Sequence, residues 1–288
     1  ATIRSIDFKN GPLETRANAT LSLRDSRIDD APGNALTNLG EMTLEDVRRA
    51  GSAGIQSSGV LNLRRVEVYS SGANGIDLTA ASQTTGTDVE AHKSGSTGIY
   101  SRGQLDLEGV VVHRNNSYGL RTEGSGKQPR IRNMVATFNG AVGVFANDVT
   151  TQLSYATLTM NDMQNGIPQF QISCAVGSVS SGAGVWVYNS IVYGAQFYSG
   201  DCFYAHSIAR DGGHLTHDII FVDPQFERPT QSHFCSSVPS DFDCYDFSLK
   251  SSSPARNRGT PTLPAGLATS KDIEGTPRDS TPNMGAYE

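Results

Sequence analysis

A small residue followed by an aliphatic one recurs through the first 167 positions, at Ala35-Leu36, Gly54-Ile55, Gly75-Ile76, Gly98-Ile99, Gly119-Leu120, Gly143-Val144 and Gly166-Ile167. The successive steps are 19, 21, 23, 21, 24 and 23 residues. That spacing is too even for loops and too loose for a coiled coil, and it falls in the range of solenoid repeats. A unit this short cannot bury its own apolar face, so the chain is expected to be a stack of coils, each covering its neighbour.

The apolar residues alternate over short runs, as in Leu61-Asn62-Leu63, Val66-Glu67-Val68 and Leu105-Asp106-Leu107. Alternation of this kind marks strands with one buried face. Thirty glycines and a hydrophobic fraction of only 37% fit a chain that turns often and packs small side chains. Seven residues before each small residue from Gly54 onward stand Val47, Val68, Ala91, Val112, Ala136 and Thr159. Nine before stand Glu45, Val66, Val89, Val110, Met134 and Thr157. Like positions therefore stack about 4.8 Å apart. The fold class is all-β, a right-handed parallel β-helix. Regular coils are expected over 1–168, with less regular coils and a closing segment of the same solenoid over 169–288.

Positions between the inward ones face out. Eight before each signal are Asp46, Glu67, Glu90, Val111, Val135 and Leu158; six before are Arg48, Tyr69, His92, His113, Thr137 and Met160. A one-residue shift of the first coil would put Arg27 beside Asp46 and Asp29 beside Arg48 as crossed ion pairs. The stacked carboxylates Asp46, Glu67 and Glu90 repel unless a cation or a partner's positive group relieves them. Two residues beyond each glycine lie Gln56, Asp77, Tyr100, Arg121, Phe145 and Pro168, and four beyond lie Ser58, Thr79, Arg102, Glu123 and Asn147. Tyr100, Arg102 and Arg121, near His92, Lys93, His113 and Arg114, suit a sugar or anionic ligand. An aromatic face stacks on a pyranose, and a guanidinium grips a carboxylate.

The spacing is lost from about Gln169, aromatics concentrate, and Cys174, Cys202, Cys235 and Cys244 appear. Two disulfides are expected rather than a metal centre, since no Cys-x-x-Cys is present. Cys174–Cys202 with Cys235–Cys244 is the pairing closest in sequence, among three possible connectivities. Disulfides imply an oxidising place: periplasm, cell surface or medium. Ile3, Ile6 and Phe8 read as part of an earlier coil, so sequence is expected upstream. No membrane span is expected. Residues 1–135 hold 16 basic and 15 acidic residues against 7 and 14 in 136–288. A basic footprint for nucleic acid is therefore missing. No cofactor is expected. Calcium is the ion that the carboxylates of 241–246 would suit, with Glu67 and Glu90 as other candidate cation ligands. Gly124-Ser125-Gly126-Lys127-Gln128 lacks the pattern of a phosphate loop and reads as a turn, and His214 and His217 sit in a loop-like setting.

The end of the chain carries further text: Phe221-Val222-Asp223-Pro224-Gln225-Phe226, then Phe247-Ser248-Leu249 through Arg258-Gly259, Asp272-Ile273-Glu274-Gly275-Thr276-Pro277-Arg278, and Asn283-Met284-Gly285-Ala286-Tyr287-Glu288. This series resembles the C-terminal segment of bacterial secreted right-handed β-helix proteins of the choice-of-anchor type, whose fold is similar to the pectate-lyase-like superfamily. The resemblance implies a secreted β-helix and leaves activity open, because that superfamily includes lyases, glycosidases, epimerases, tailspikes and adhesins. The ending itself reads as structural, with Asp272 and Arg278 bridging loops and Met284 and Tyr287 plugging the last coil.

The function expected from these residues is binding of glycan or cell-envelope polymer by an extracellular or cell-surface solenoid, through Tyr100, Arg102, Arg114, Glu67 and Glu90. The alternatives are a polysaccharide lyase or glycosidase acting on an acidic polysaccharide and a structural stalk or shell component. For a lyase, His92, Lys93, His113 and Arg121 would supply the base and the carboxylate clamp; for hydrolysis, Glu67 with Glu90 or Asp46 with Glu67 would be the acid pair.

Overall fold

A computed structural model of the chain describes residues 1–9, 11–29, 34–50, 54–164, 167–168, 171–175, 184–194, 202–209, 214–217, 219–228 and 246–288. Long strands Thr20–Asp29, Glu41–Ala50, Val60–Tyr69, Gln83–His92, Gln104–His113, Arg130–Thr137 and Thr150–Thr159 pair in parallel in chain order. Their sheet continues through Gly184–Tyr188, Cys202–Ala205 and His214–His217. Between them run short strands, Leu13–Thr15, Leu36–Asn38, Ile55–Ser57, Ile76–Leu78, Ile99–Ser101, Leu120–Glu123, Val144–Asn147 and Ile172–Ala175, which form a second parallel sheet. The expected parallel β-solenoid is what forms.

Each long strand is bent at one residue of left-handed conformation. Asp25, Asp46, Arg65, Asp88, Gly109, Asn133 and Tyr155 occupy this corner with φ of 48–68°. Asp, Asn and Gly tolerate that region best, and no β-branched residue is found in the column. A second corner of the same kind ends the long strand, at Ser70, Lys93, Arg114, Phe138 and Met160. Each coil therefore has three sides: a short strand, the first half of a long strand and its second half. Alternate residues point inward, giving columns such as Val47, Val66, Val89, Val110, Met134 and Ala156, all with 1% exposure or less.

The recurring small residue has a steric cause. Ile76, Ile99 and Leu120 donate their N–H groups to the carbonyls of Gly98, Gly119 and Gly143, one coil on, at 2.9 Å each. A Cβ on Gly98 would lie 2.8 Å from the Gly119 oxygen and 2.6 Å from the Asn115 amide nitrogen. That amide belongs to a buried polar ladder. Asn115, Asn139, Asn161 and Gln171 link side chain to side chain at 2.8–2.9 Å, and the asparagine amides also donate to Ala91, Val112 and Ala136 carbonyls. Glycine leaves the space into which each amide fits.

Register departs from the sequence reading at both ends of the repeat. Four residues separate Ala50 from Ile55, whereas six separate Tyr69 from Ile76 and His92 from Ile99. Counting back from Gly54 therefore slips by two, and it is Arg48, not Asp46, that stacks on Glu67. Asp46 forms the corner and binds Arg65 instead. Arg49 takes the interior position opposite Val68 and is fully buried. Arg27 faces Arg48, not Asp46, and bonds its own Asp29 at 2.6 Å. At the other end, Ile167 pairs antiparallel with Gln164, and Ile172 takes the place beside Val144. Gly166 lies outside the described residues. Thr159, rather than Met160, follows Thr137 in the outward column.

Cys174 and Cys202 form a disulfide, which ties the last short strand of its sheet to a long-strand coil. The expected partners Cys235 and Cys244, and the carboxylates Asp241 and Asp243, lie outside the described residues. Met284 plugs no coil end. With Phe226, Phe247, Leu249, Ala255 and Ala286 it packs against Val135, Ile191 and Ile208, which point outward from the second half of the long-strand sheet. Arg132 and Ser154 bond the carbonyls of Gly266 and Leu267 at 2.9 and 2.7 Å. Arg278, with a side chain only 3% exposed, pairs with Glu288 at 2.9 Å, reaches Asn133 at 2.9 Å and lies 3.9 Å over the Tyr155 ring. Asp272 accepts the N–H groups of Glu274, Thr276 and Glu288. The closing segment is a lateral clasp on the late coils.

Candidate functional site

Two outward clusters stand out, on different sides of the same coils. On the short-strand side the register aligns Tyr100, Arg121 and Phe145 on three successive strands. The Arg121 guanidinium lies 5.1 Å over the Tyr100 ring and 5.5 Å over both Tyr118 and Phe145. Arg102 covers Tyr100 from 5.1 Å and approaches Asp77 at 3.6 Å. Beneath, Glu123 accepts the Tyr100 hydroxyl at 2.6 Å and Arg121 Nε at 2.8 Å. Burial alone would push the Glu123 carboxyl up, but the bonds from Tyr100 and Arg121 outweigh it and hold Glu123 below the usual carboxylate range. Burial and the Glu123 bond raise the Tyr100 phenol, which stays a donor. The two guanidinium groups are balanced by Asp77 and Glu123, so the surface is polar and aromatic with little net charge.

The second cluster lies on the second half of the long strands. Glu67 pairs in register with Glu90, and Tyr69 with His92, which in turn pairs with His113. The rings form a stack, Tyr69 to His92 at 5.5 Å and His92 to His113 at 4.6 Å with planes 8° apart. Each imidazole Nε2 meets the carboxylate of the preceding coil, His92 with Glu67 at 3.2 Å and His113 with Glu90 at 2.9 Å. Arg48 closes on Glu67 at 2.6 Å from the coil before. Burial lowers the His113 pKa against the opposing pull of Glu90. Burial would raise Glu90, yet the His113 bond and the neighbouring His92, His113 and Arg48 hold it below the usual range. A neutral imidazole donating to an ionised carboxylate satisfies both directions.

The structure thus divides the residues that the sequence suggested together. Tyr100, Arg102 and Arg121 share one side. Glu67, Glu90, His92 and His113 share another, and the six-residue loops 93–98 and 114–119 separate the two sides. Lys93 and Arg114 sit at the corner between them, Arg114 lying 5.7 Å over the Phe138 ring. The sequence reading missed Tyr118 as part of the aromatic surface, although an aromatic immediately before the Gly119 signal marks it. It also missed that the outward histidines are buried, with side chains 11% and 3% exposed. Their stacking on one another and on Tyr69 removes them from water.

The model of the right-handed β-helix region matches residues 17–192. The chain superposes on the crystal structure of pectate lyase Pel9A with a TM-score of 0.64 and 14% identity, covering all of this chain and 85% of that one. The A-module of the Azotobacter vinelandii mannuronan C-5 epimerase AlgE4 gives a TM-score of 0.46 at 14% identity, over 76% of this chain and 67% of that one. Among curated proteins no sequence matches. The likeness to pectate lyase Pel9A bears on fold alone. The matched region covers more than half of the residues, and this chain belongs to the right-handed β-helix family.

Proposed function

We propose that this protein binds polysaccharide along its short-strand side, where Tyr100, Tyr118, Arg121 and Phe145 present rings and a guanidinium on consecutive coils. The observation that supports the reading is the immobilisation of Arg121, held by Glu123 and in contact with three rings. A side chain fixed before binding loses little freedom when a sugar arrives. Rings take the apolar face of a pyranose, and the free edge of the guanidinium takes hydroxyl or carboxylate oxygens. Successive coils repeat about every 4.8 Å, close to the rise of a saccharide unit, so a polymer can follow the solenoid axis. The parallel coil is shared with pectate lyase Pel9A, whose name records action on a polysaccharide. The Cys174–Cys202 disulfide favours an oxidising location, outside the cell or in the periplasm.

The lyase and glycosidase readings are less well supported. His92 and His113 are buried and stacked, so neither imidazole is presented to a polymer lying on the surface. Arg121, the expected carboxylate clamp, faces another side. Isothermal titration with oligogalacturonate, oligomannuronate and a neutral glucan tests the binding reading. At least one is expected to bind, and Y100A and R121A should each weaken it by about tenfold or more, the scale of a lost stacking or charge-assisted contact. No binding by the whole panel, or affinity unchanged in both variants, would overturn it. New absorbance from unsaturated product in the same mixtures would replace it with the lyase reading.

A further inference from the structure

We infer that Glu90, His92 and His113 bind a divalent transition-metal ion, zinc by preference, on the second half of the long-strand sheet. The inference is independent of the glycan surface, which lies on another side. One carboxylate oxygen and two imidazole nitrogens from these residues all lie within 4.8 Å of one another. The topology makes the grouping unavoidable: Glu90 and His92 are two apart on one strand and share a face, and His113 is the register partner of His92 on the next. Two nitrogen donors and one carboxylate suit zinc and its transition-metal neighbours, whereas calcium and magnesium take oxygen alone.

The ligand atoms are already close, and the ring stack sets the adjustment needed. Zinc with bonds of about 2.0–2.1 Å places its ligand atoms roughly 3.3 Å apart. His113 Nε2 is 2.9 Å from Glu90 Oε1 and His92 Nε2 is 3.9 Å from the same atom. The two rings stack with planes 8° apart, so binding turns them until both Nε2 lone pairs meet at one centre and the stack opens. Glu67, 3.2 Å from His92 Nε2 and bonded by Arg48, lies beside the group as a charge partner, and the fourth ligand position falls to water.

Electrostatics points the same way. Glu67 and Glu90 stack as like charges on adjacent strands, which is unfavourable unless a cation intervenes. Arg48 closes on Glu67 at 2.6 Å, while Glu90 has the two imidazoles beside it, at 2.9 and 3.9 Å. A bound ion would neutralise Glu90 and bridge strands Gln83–His92 and Gln104–His113, linking two consecutive coils from outside.

The test is a titration of the chelator-treated full chain with Co2+, followed by Zn2+ displacement. One equivalent of Co2+ giving visible d–d bands, displaced by Zn2+ but not by equimolar Ca2+, is the expected result. E90Q keeps the side-chain shape and should bind at least about tenfold more weakly. Zn2+ should raise the melting temperature of the parent chain but not of this variant. H92Q is the companion should E90Q fail to fold, judged by far-ultraviolet circular dichroism. Absence of saturable Co2+ uptake by the parent chain overturns the inference. So does an unchanged spectrum and affinity in a folded E90Q or H92Q, which would place the ion elsewhere.

Discussion

Replacing Gly98 with alanine tests why the repeat has its period. The added Cβ would sit 2.6 Å from Asn115 Nδ2, 3.1 Å from its Cγ and 2.8 Å from the Gly119 carbonyl oxygen. Either the next coil moves away, stretching the 2.9 Å bond from Ile99 N–H to Gly119, or the Asn115 amide is displaced. The second course strains bonds to Ala91 at 3.1 Å, to Asn139 at 2.9 Å and from Ser94 N–H at 3.0 Å. Overpacking a tight interior costs about 1–3 kcal/mol, and leaving a buried amide unsatisfied costs about 1–3 more. The stiffer unfolded chain returns about 0.4–1. The net loss is therefore about 1–2 kcal/mol if the coil moves alone and about 3 kcal/mol if the amide is displaced. Gly11→Ala is the matched control, because no atom lies within 4 Å of its Cβ. Urea unfolding followed by circular dichroism should show G98A destabilised and G11A unchanged or slightly stabilised. A G98A loss below about 1 kcal/mol, or equal losses in the two variants, would refute the close-approach account of the signal.

Removing the Arg278 side chain by R278A should release the lateral clasp, since Glu288 and the carbonyls of Gly285 and Ala286 lose their buried partner. The cost is about 3–5 kcal/mol, read as protease cleavage within the segment after Arg258 while the early coils stay resistant; parent-like resistance would count against it. Acidification should destabilise the protein in two stages. His113 titrates below its ordinary 6.5 when folded, so the unfolded chain gains a proton first and stability declines as pH falls past 6.5 toward the folded value. Glu90 titrates below its ordinary 4.5, so its contribution is complete above 4.5 and is lost as pH falls through the lower folded value. Urea midpoints from pH 7 to 4 should fall, with H113Q removing the decline just below 6.5; an unaltered slope in that variant would contradict the assignment.

The coil was legible because glycine at the close approach leaves a direct mark in the sequence, and because Val66, Val89 and Val110 recur in phase with it. Counting from that mark worked wherever six residues join the long strand to the short one, and it failed at Gly54, where the junction has four. The resulting slip exchanged Asp46 for Arg48 in the carboxylate column and concealed Arg49 in the interior. The second failure was of burial. An outward position on an alternating strand reads as exposed, yet Tyr69, His92 and His113 cover one another, and Val135 is covered by a segment about 150 residues further on. Such coverage depends on contacts that no local pattern records. Tyr100, Arg102 and Arg121 were found together because they lie on the side closest in sequence to the signal itself.

The corner within each long strand is a single left-handed residue and has no slack. One extra residue at Arg65 or Asp88 would turn every later side chain in that strand to the opposite face. The differences in coil length fall elsewhere, in the connection before the short strand and in the turn after it, where 102–103 in one coil becomes 124–129 in the next. Among the described residues, the aromatic side is thus bordered along both edges by connections whose length varies from coil to coil. New projections can be raised around that side, coil by coil, while the scaffold beneath it keeps its geometry, so ligand preference and folding can diversify separately.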